Sequence, residues 1–134
     1  MRKVLVFGTF DNLHRGHMSF LRQARRHGDF LVAVVARDSN VRKMKRRPPL
    51  QSEGTRAKVL RRFADKVCMG ERKVTYNLIK KIKPDVICVG YDQKPSVADA
   101  RKILRKIGMG KVELRKMRPY KPSVYKSRIL NKPG

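Results

Sequence analysis

Short apolar segments alternate along the chain with longer amphipathic ones. Four of the apolar segments predict buried strands, at residues 4–7, 30–36, 67–69 and 86–89, and a fifth strand is expected at 111–114. Between them, apolar residues recur at helical spacing and predict helices at residues 16–27, 52–64, 74–82 and 96–107. A basic, proline-containing stretch, residues 42–49, is expected to form an exposed loop. Strands that are apolar on both faces indicate a parallel sheet covered by helices on both sides.

This element order predicts a single α/β domain over residues 1–134, a Rossmann-like parallel sheet with helices on both faces. The tail, residues 120–134, leaves room for a short C-terminal helix from Ser123. No apolar run approaches the roughly 18 residues that a membrane helix needs, so we expect no membrane partner. Cys68 and Cys88 lie in apolar runs and are expected to be packed thiols, which fits a reducing, cytoplasmic location.

The charge balance is the unusual feature of the composition. Thirty-five Lys and Arg oppose ten Asp and Glu, which gives a formal net charge of +25. The solvated faces of amphipathic helices account for many of these cations but not for the shortage of acids, so an anionic ligand or partner is favoured. Non-specific nucleic-acid binding and a homodimer both stay open at this point.

The candidate chemistry lies where predicted strands end. Residues 8–17, 37–56 and 90–94 leave the carboxyl ends of three strands, and such ends meet at one edge of a parallel sheet. In the first segment His14 and His17 flank the start of a helix, where N–H groups and the helix dipole favour an anion. Two imidazoles there add donors that can follow charge onto phosphate oxygens, and Gly16 lets the backbone approach a ligand closely. Two capping or surface histidines are the plainer alternative, and no third ligand at suitable spacing supports a metal site.

The ten residues Gly8-Thr9-Phe10-Asp11-Asn12-Leu13-His14-Arg15-Gly16-His17 closely resemble the G-T-F-D-x-x-H-x-G-H signature of the cytidylyltransferase-like nucleotidyltransferases. The resemblance implies that His14 and His17 are catalytic, binding a triphosphate and stabilising the transition state. It also implies nucleotide contacts at Gly8, Thr9 and Phe10. Outside the motif it implies five further nucleotide-binding positions, namely Lys43 or alternatively Lys45, Arg56, Gly90, Asp92 and Ser127. Magnesium is expected to arrive with the nucleoside triphosphate, with no metal ligand assigned to the protein.

Two short stretches, residues 35–38 and 90–93, look like the archaeal FAD synthetases of this family. That resemblance implies transfer of AMP from ATP to FMN, giving FAD and pyrophosphate. The first alternative is a cytidylyltransferase that uses CTP and glycerol 3-phosphate or a similar phosphorylated alcohol. The alternative of another class is a basic nucleic-acid-binding protein. The C-terminal stretch departs from the family, because Ser127, with Ser123, stands where members usually have consecutive Ser and Thr residues.

Overall fold

The computed structural model describes residues 1–73, 75–93 and 95–120. All strand pairs in its sheet are parallel, and the strand order is β3-β2-β1-β4-β5. The strands are β1 (Lys3–Gly8), β2 (Phe30–Val35), β3 (Lys66–Met69), β4 (Val86–Val89) and β5 (Glu113–Lys116). The helices are α1 (Arg15–Arg25), α2 (Asp38–Lys45), α3 (Glu53–Leu60), α4 (Asn77–Ile82) and α5 (Val97–Lys106). The predicted α/β parallel sheet is confirmed.

The central strand of the sheet is β1. Gly8 at its carboxyl end pairs with Val35 of β2, and Val6 pairs with Cys88 of β4 on the other side. The chain moves outward from β1 through β2 to β3 and then crosses back to β4, so the winding direction reverses between β1 and β4. Ligands of open parallel sheets bind outside the carboxyl ends of the strands at such a reversal.

Two apolar layers cover the sheet, one on each face. Alternate residues of the central strands point to opposite faces, so Val4 and Val6 belong to one layer and Leu5 to the other. The first layer contains Leu21 and Ala24 of α1 and residues of α3, and the second contains residues of α4 and α5. Helices therefore lie on both faces, as the apolar strands predicted.

The expected exposed loop at residues 42–49 is wrong over its first half, because α2 continues to Lys45. The helix is fixed by Val41, which is 1% exposed, and it ends where Arg46 takes a left-handed conformation. One buried residue in a run of cations gives almost no helical periodicity, so the pattern did not reveal it. Ser52 and Ser96, the first residues of two predicted helices, are N-caps that accept hydrogen bonds from the helices they begin.

Elsewhere the element boundaries shift by a few residues. The helix expected from residue 74 begins at Asn77, and the last strand lies two residues further along than predicted. Cys88 is buried and Cys68 is partly buried, as expected of packed thiols. Within the described part of the chain, no helix is both long and apolar enough to cross a membrane. The predicted C-terminal helix and Ser127 lie outside the described residues.

Candidate active site

The two histidines of the motif cap the helix that they begin. His14 is the N-cap of α1, and its Nδ1 accepts a hydrogen bond of 3.0 Å from the backbone N–H of Gly16. His17, three positions further on, accepts a 3.2 Å bond at Nδ1 from the backbone N–H of His14. This is the reciprocal geometry of a capping box, with imidazoles in place of the usual hydroxyl and carboxylate. The capping and catalytic interpretations of the pair are therefore compatible.

The same hydrogen bonds define which ring nitrogen of His17 carries the proton. Because Nδ1 accepts from a backbone N–H, the neutral ring carries its proton on Nε2 and offers a donor there. Burial lowers the pKa of His17 to about 4, with further lowering by the nearby charges of His14 and Lys45. The two rings stack with centroids 4.0 Å apart. At neutral pH His17 is thus a neutral hydrogen-bond donor.

The loop between β1 and α1 holds an uncommon backbone conformation. Phe10 and Asn12 both have φ near 52°, the left-handed region that non-glycine residues rarely occupy. The Phe10 side chain is buried, and its ring lies 6.1 Å from that of His17 and 6.4 Å from that of Phe20. A Cβ on Gly8 would come within 2.9 Å of the Phe10 ring. Gly8 and Phe10 therefore shape the loop, and the Phe10 ring packs beside His17.

Polar contacts tie this loop to the segment before α3. Both carboxylate oxygens of Asp11 accept backbone N–H groups, from Leu50 at 2.7 Å and Gln51 at 2.9 Å. The Gln51 side chain in turn accepts from the backbone N–H of Asn12 at 3.1 Å. These bonds between distant segments explain how the strained loop keeps its shape. They also leave the Asp11 carboxylate engaged in holding backbone.

Arg56 is the most deeply buried charged side chain among the described residues, with no exposed surface. Its guanidinium donates to the carbonyls of Gln51 at 3.0 Å and Thr9 at 2.7 Å and to Asp38 Oδ1 at 2.7 Å. Burial alone would raise the pKa of Asp38, but the hydrogen bond from Arg56, a backbone hydrogen bond from Glu53 and the charges of Arg56 and Arg42 together hold that pKa below the ordinary value. In this arrangement the Arg56 side chain is fully engaged within the fold, and the nucleotide contact that the resemblance implies for it stays a prediction. Arg56 connects the loop that contains Thr9 with the start of α2.

Of the two candidate lysines on α2, Lys45 is the one that acts on the histidine pair. Its positive charge contributes to the low pKa of His17, after burial and the charge of His14. Both lysines are exposed, and Lys43 is not among the charges that lower the pKa of His17. A nucleotide contact by either lysine stays a prediction.

The carboxyl end of β4 is locked to that of β1 by one side chain. Gln93 donates from Nε2 to the carbonyl of Phe7 at 2.8 Å and accepts the N–H of Gly90 at Oε1 at 3.0 Å. Beside it is a cleft of about 250 Å³, lined by Val89, Gly90, Tyr91, Gln93, Ser96, Val97, Ala98 and Lys116. Gly90 lines this cleft, whereas Asp92 is exposed beside it. The cleft and the histidines thus flank the end of β1 from opposite sides.

The described residues contain no group of three or more His, Cys, Asp or Glu side chains that could hold a metal ion. Instead the site offers N–H donors, a neutral imidazole and lysine charge at the reversal point of the sheet. Such a set can bind and stabilise phosphate oxygens but has no nucleophile paired with a base.

Comparison with known proteins agrees with this chemistry. The model of the cytidylyltransferase-like family matches residues 5–129, nearly the whole chain. The chain belongs to this family. It is 46% identical over 121 residues to the FAD synthase of Pyrococcus abyssi, covering 88% of this chain and 80% of that protein. It is 42% identical over 128 residues to the FAD synthase of Thermococcus kodakarensis, covering 93% and 83% respectively.

A solved structure shares the fold in detail. The crystal structure titled lipopolysaccharide core biosynthesis protein, from Thermoplasma volcanium, superposes with a TM-score of 0.84 at 33% identity. The match covers 90% of this chain and 98% of that one. Family membership and the FAD synthase relatives make this chain a nucleotidyltransferase enzyme.

Sequence reasoning missed two groups that organise the site. Asp38, the partner of Arg56, carried a signal, because it is a carboxylate just after the carboxyl end of a strand. Gln93 was noticed only as part of a resemblance, and nothing in the sequence indicated its contact with Phe7, 86 positions away. Contacts of that separation depend on the sheet order, which periodicity alone does not supply.

Proposed function

We propose that this enzyme transfers AMP from ATP to FMN, forming FAD and releasing pyrophosphate. The observation that carries the proposal is the neutral, capped His17 at the start of α1, with the lysine of α2 beside it. The relatives named FAD synthase, at 37–46% identity, supply the acceptor. The proposed reaction does not require a general base.

The reaction is an in-line displacement at the α-phosphorus of ATP. An oxygen of the FMN phosphate forms a bond to that phosphorus, and the bond between the α-phosphorus and the bridging oxygen of pyrophosphate breaks. A phosphate monoester is mostly dianionic at neutral pH, because its second pKa is about 6, so no proton must be removed from the nucleophile. Catalysis then consists of positioning and of stabilising negative charge as it spreads over the phosphate oxygens.

His17 fits that task because it is neutral before reaction. Its Nε2–H can donate to the leaving pyrophosphate, while Nδ1 is held by the backbone N–H of His14. A donor fixed by a helix cap needs little reorganisation as charge develops, which is what makes such a group effective. Lys45 adds a positive charge from the side of α2. Thr9 and the start of α1 complete the phosphate side of the proposed site.

The cleft beside Gly90 is suited to the nucleoside. It borders Tyr91, an aromatic ring, and its Gln93 wall is fixed to the end of β1. Asp92 is exposed next to Tyr91 in the chain, and its carboxylate is the proposed partner of a ribose hydroxyl or of the nucleobase. Magnesium enters as part of the magnesium–ATP substrate, held by phosphate oxygens and water, as is usual for this ion.

The test pairs two nucleotides with two acceptors in one assay of pyrophosphate release. We expect ATP with FMN to support turnover and CTP with FMN to support much less. A matched preparation of His17→Ala controls for contaminating activity. Turnover with CTP and glycerol 3-phosphate but none with FMN would move the protein to the cytidylyltransferase alternative. No turnover with either acceptor would overturn the proposal.

A further inference from the structure

The acidic residues of this chain are used almost entirely inside the fold. Of the ten Asp and Glu, eight accept a hydrogen bond from another group of the protein. Among the residues that the structure describes, the remaining two, Asp92 and Asp99, make no side-chain hydrogen bond. Acids thus occur mainly where they hold backbone or a cation, and of the five exposed ones, Asp29, Asp65, Asp85, Asp92 and Asp99, the first three accept hydrogen bonds within the fold.

The cations are distributed differently. Among the described residues, ion pairs join only five arginines to acids, namely Arg2, Arg25, Arg37, Arg56 and Arg115. Most Lys and Arg in the described part of the chain therefore have no acidic partner in an ion pair. Such a surface repels itself and lowers the stability of the compact state, unless an anion outside the molecule offsets the repulsion.

One part of this surface is built almost wholly of arginine. It comprises the C-terminal ends of α1 and α3, which lie on the same face of the sheet, and we call it the arginine patch. Its members are all exposed, and they are Arg22, Arg25, Arg26, Arg61 and Arg62. Arg25 joins the two helix ends by donating to the carbonyl of Phe63 and to Asp65, both at 3.2 Å. Asp65 also accepts the N–H of Leu31, so the one acid within the patch is already occupied.

The patch is more than the usual basic end of a helix. Cations in the last turn of a helix complement its dipole, and that effect explains one or two of them. It does not explain five neighbouring guanidinium groups with one shared carboxylate. By contrast the opposite face, covered by α4 and α5, includes the unpaired Asp99 and carries mainly lysine.

Arginine geometry and spacing suit phosphodiesters. A guanidinium can donate two parallel hydrogen bonds to one phosphate, and the donor fork is rigid. Arg22 on α1 and Arg26 at its C-cap are four residues apart, about 6 Å along the helix axis. This is close to two nucleotide steps along one strand of a duplex, at about 3.4 Å of axial rise each. Phe63, which is 37% exposed, is a single aromatic side chain at the patch, whereas sites for single strands stack successive bases on several aromatic rings.

From these observations we propose that the arginine patch binds the phosphate backbone of duplex nucleic acid, without reading its sequence. The patch lies at the amino-terminal edge of the sheet, since α1 runs from the carboxyl end of β1 toward the start of β2. The histidine pair lies at the opposite edge. Duplex binding is therefore separable from nucleotidyl transfer and does not depend on the proposed function.

The experiment measures binding of the full chain to a short labelled DNA duplex by fluorescence anisotropy over a series of KCl concentrations. The test variant is Arg22→Gln/Arg26→Gln/Arg62→Gln. The control, on the α4 and α5 face, is Lys81→Gln/Lys102→Gln/Arg105→Gln, which changes the net charge equally. Each phosphate contact contributes about 0.9 to the slope of log affinity against log salt, so the test variant should reduce the slope by about 2.7. The control should change it by less than one contact.

Three further probes fix the kind of partner. An RNA duplex of the same sequence should bind comparably, and a single strand of that sequence should bind more weakly. Equal losses of duplex affinity in the test and control variants would mean that net charge alone attracts the duplex, and would overturn the proposal for the patch. Tighter binding of phosphatidylglycerol vesicles than of duplex, with the same loss in the test variant, would make the patch a lipid surface and overturn the proposal. Circular dichroism and pyrophosphate release should be unchanged in both variants.

Discussion

The guanidinium of Arg56, completely buried, donates to Asp38 Oδ1 across 2.7 Å and so joins α3 to the start of α2. The same guanidinium holds the carbonyl of Thr9, in the loop that precedes the histidines. Arg56 therefore joins the loop of Thr9 to the start of α2, the two segments that border the proposed phosphate site. Its effect on catalysis is exerted through the loop and helix that it positions.

We therefore expect Arg56→Ala to unfold more easily and to lose activity. Removing one member of a buried ion pair leaves its partner unpaired, and this costs roughly 3 kcal/mol, at the low end of the usual range because Asp38 is 31% exposed. Chemical denaturation measures that loss. Asp38→Asn is the milder companion, because an amide oxygen can still accept from Arg56. If Arg56→Ala lost affinity for ATP with no loss of stability, a direct phosphate contact would be indicated instead.

Three substitutions of His17 separate its capping role from its catalytic role. The asparagine side chain can accept from the His14 N–H, as Nδ1 does, but supplies no group at the position of Nε2. We expect His17→Asn to keep the melting temperature and to lose about 10²–10³ in turnover, the usual cost of one transition-state donor. His17→Ala should lose both properties, and His17→Gln should recover part of the turnover. Wild-type turnover in His17→Asn would remove His17 from the mechanism.

The protonation of His17 gives a pH prediction. Its pKa in the folded protein is lowered to about 4, below the ordinary 6.5, so between these values the unfolded chain binds a proton that the folded protein does not. Stability should therefore rise with pH from about 4 to 6.5, and this contribution should be constant above that window. Histidine ring resonances followed by NMR should show a midpoint near 4 for His17 in the free protein. A midpoint above 6 would contradict the buried, neutral imidazole.

Lys43 and Lys45 both lie on α2 and carry the same charge, so the variant of one is a control for the variant of the other. Because only Lys45 acts on His17, Lys45→Ala should raise the KM for ATP about tenfold, the effect of losing about one charge-assisted contact. Lys43→Ala removes the same charge from the same helix and should change the KM little, because Lys43 is not among the charges that lower the pKa of His17. Steady-state kinetics at fixed FMN measure both variants. A larger effect from Lys43→Ala would reverse the assignment.

A substitution of Gln93 tests whether the nucleoside binds in the cleft beside Gly90. Gln93→Met keeps the approximate volume but leaves the Phe7 carbonyl and the Gly90 N–H without their partner. We expect a loss of stability of roughly 1–3 kcal/mol, as for unsatisfied buried groups, together with weaker ATP binding. Calorimetric titration with a non-hydrolysable ATP analogue measures the second effect. Unchanged ATP affinity in a destabilised variant would place the nucleoside elsewhere.

Most of the fold was predictable, because it depends on local patterns. Apolar strands such as residues 86–89, and helix caps such as Ser52 and Ser96, can be read within a few positions of sequence. The helix α2 was not predictable, since its stability comes from the burial of Val41 and not from periodicity.

The site was predictable only in part. The histidine motif could be recognised because its residues lie close together in the chain. The other contacts of the site form only when the strands assemble into the sheet. Contacts such as Arg56 with Thr9 and Gln93 with Phe7 join residues 47 and 86 positions apart. Their partners follow from strand order and loop conformation, so the sequence could name Arg56 but could not indicate its buried hydrogen bonds to Gln51, Thr9 and Asp38.

The most direct test of the account follows the α-phosphorus of ATP. Wild-type protein is incubated with FMN, magnesium and ATP carrying radioactive phosphorus at the α-position, and the products are separated by chromatography. The account predicts that the label moves into FAD in equal amount to the pyrophosphate released, and that His17→Asn slows both together. Label that stays in ATP, or that is released as AMP without appearing in FAD, would contradict it.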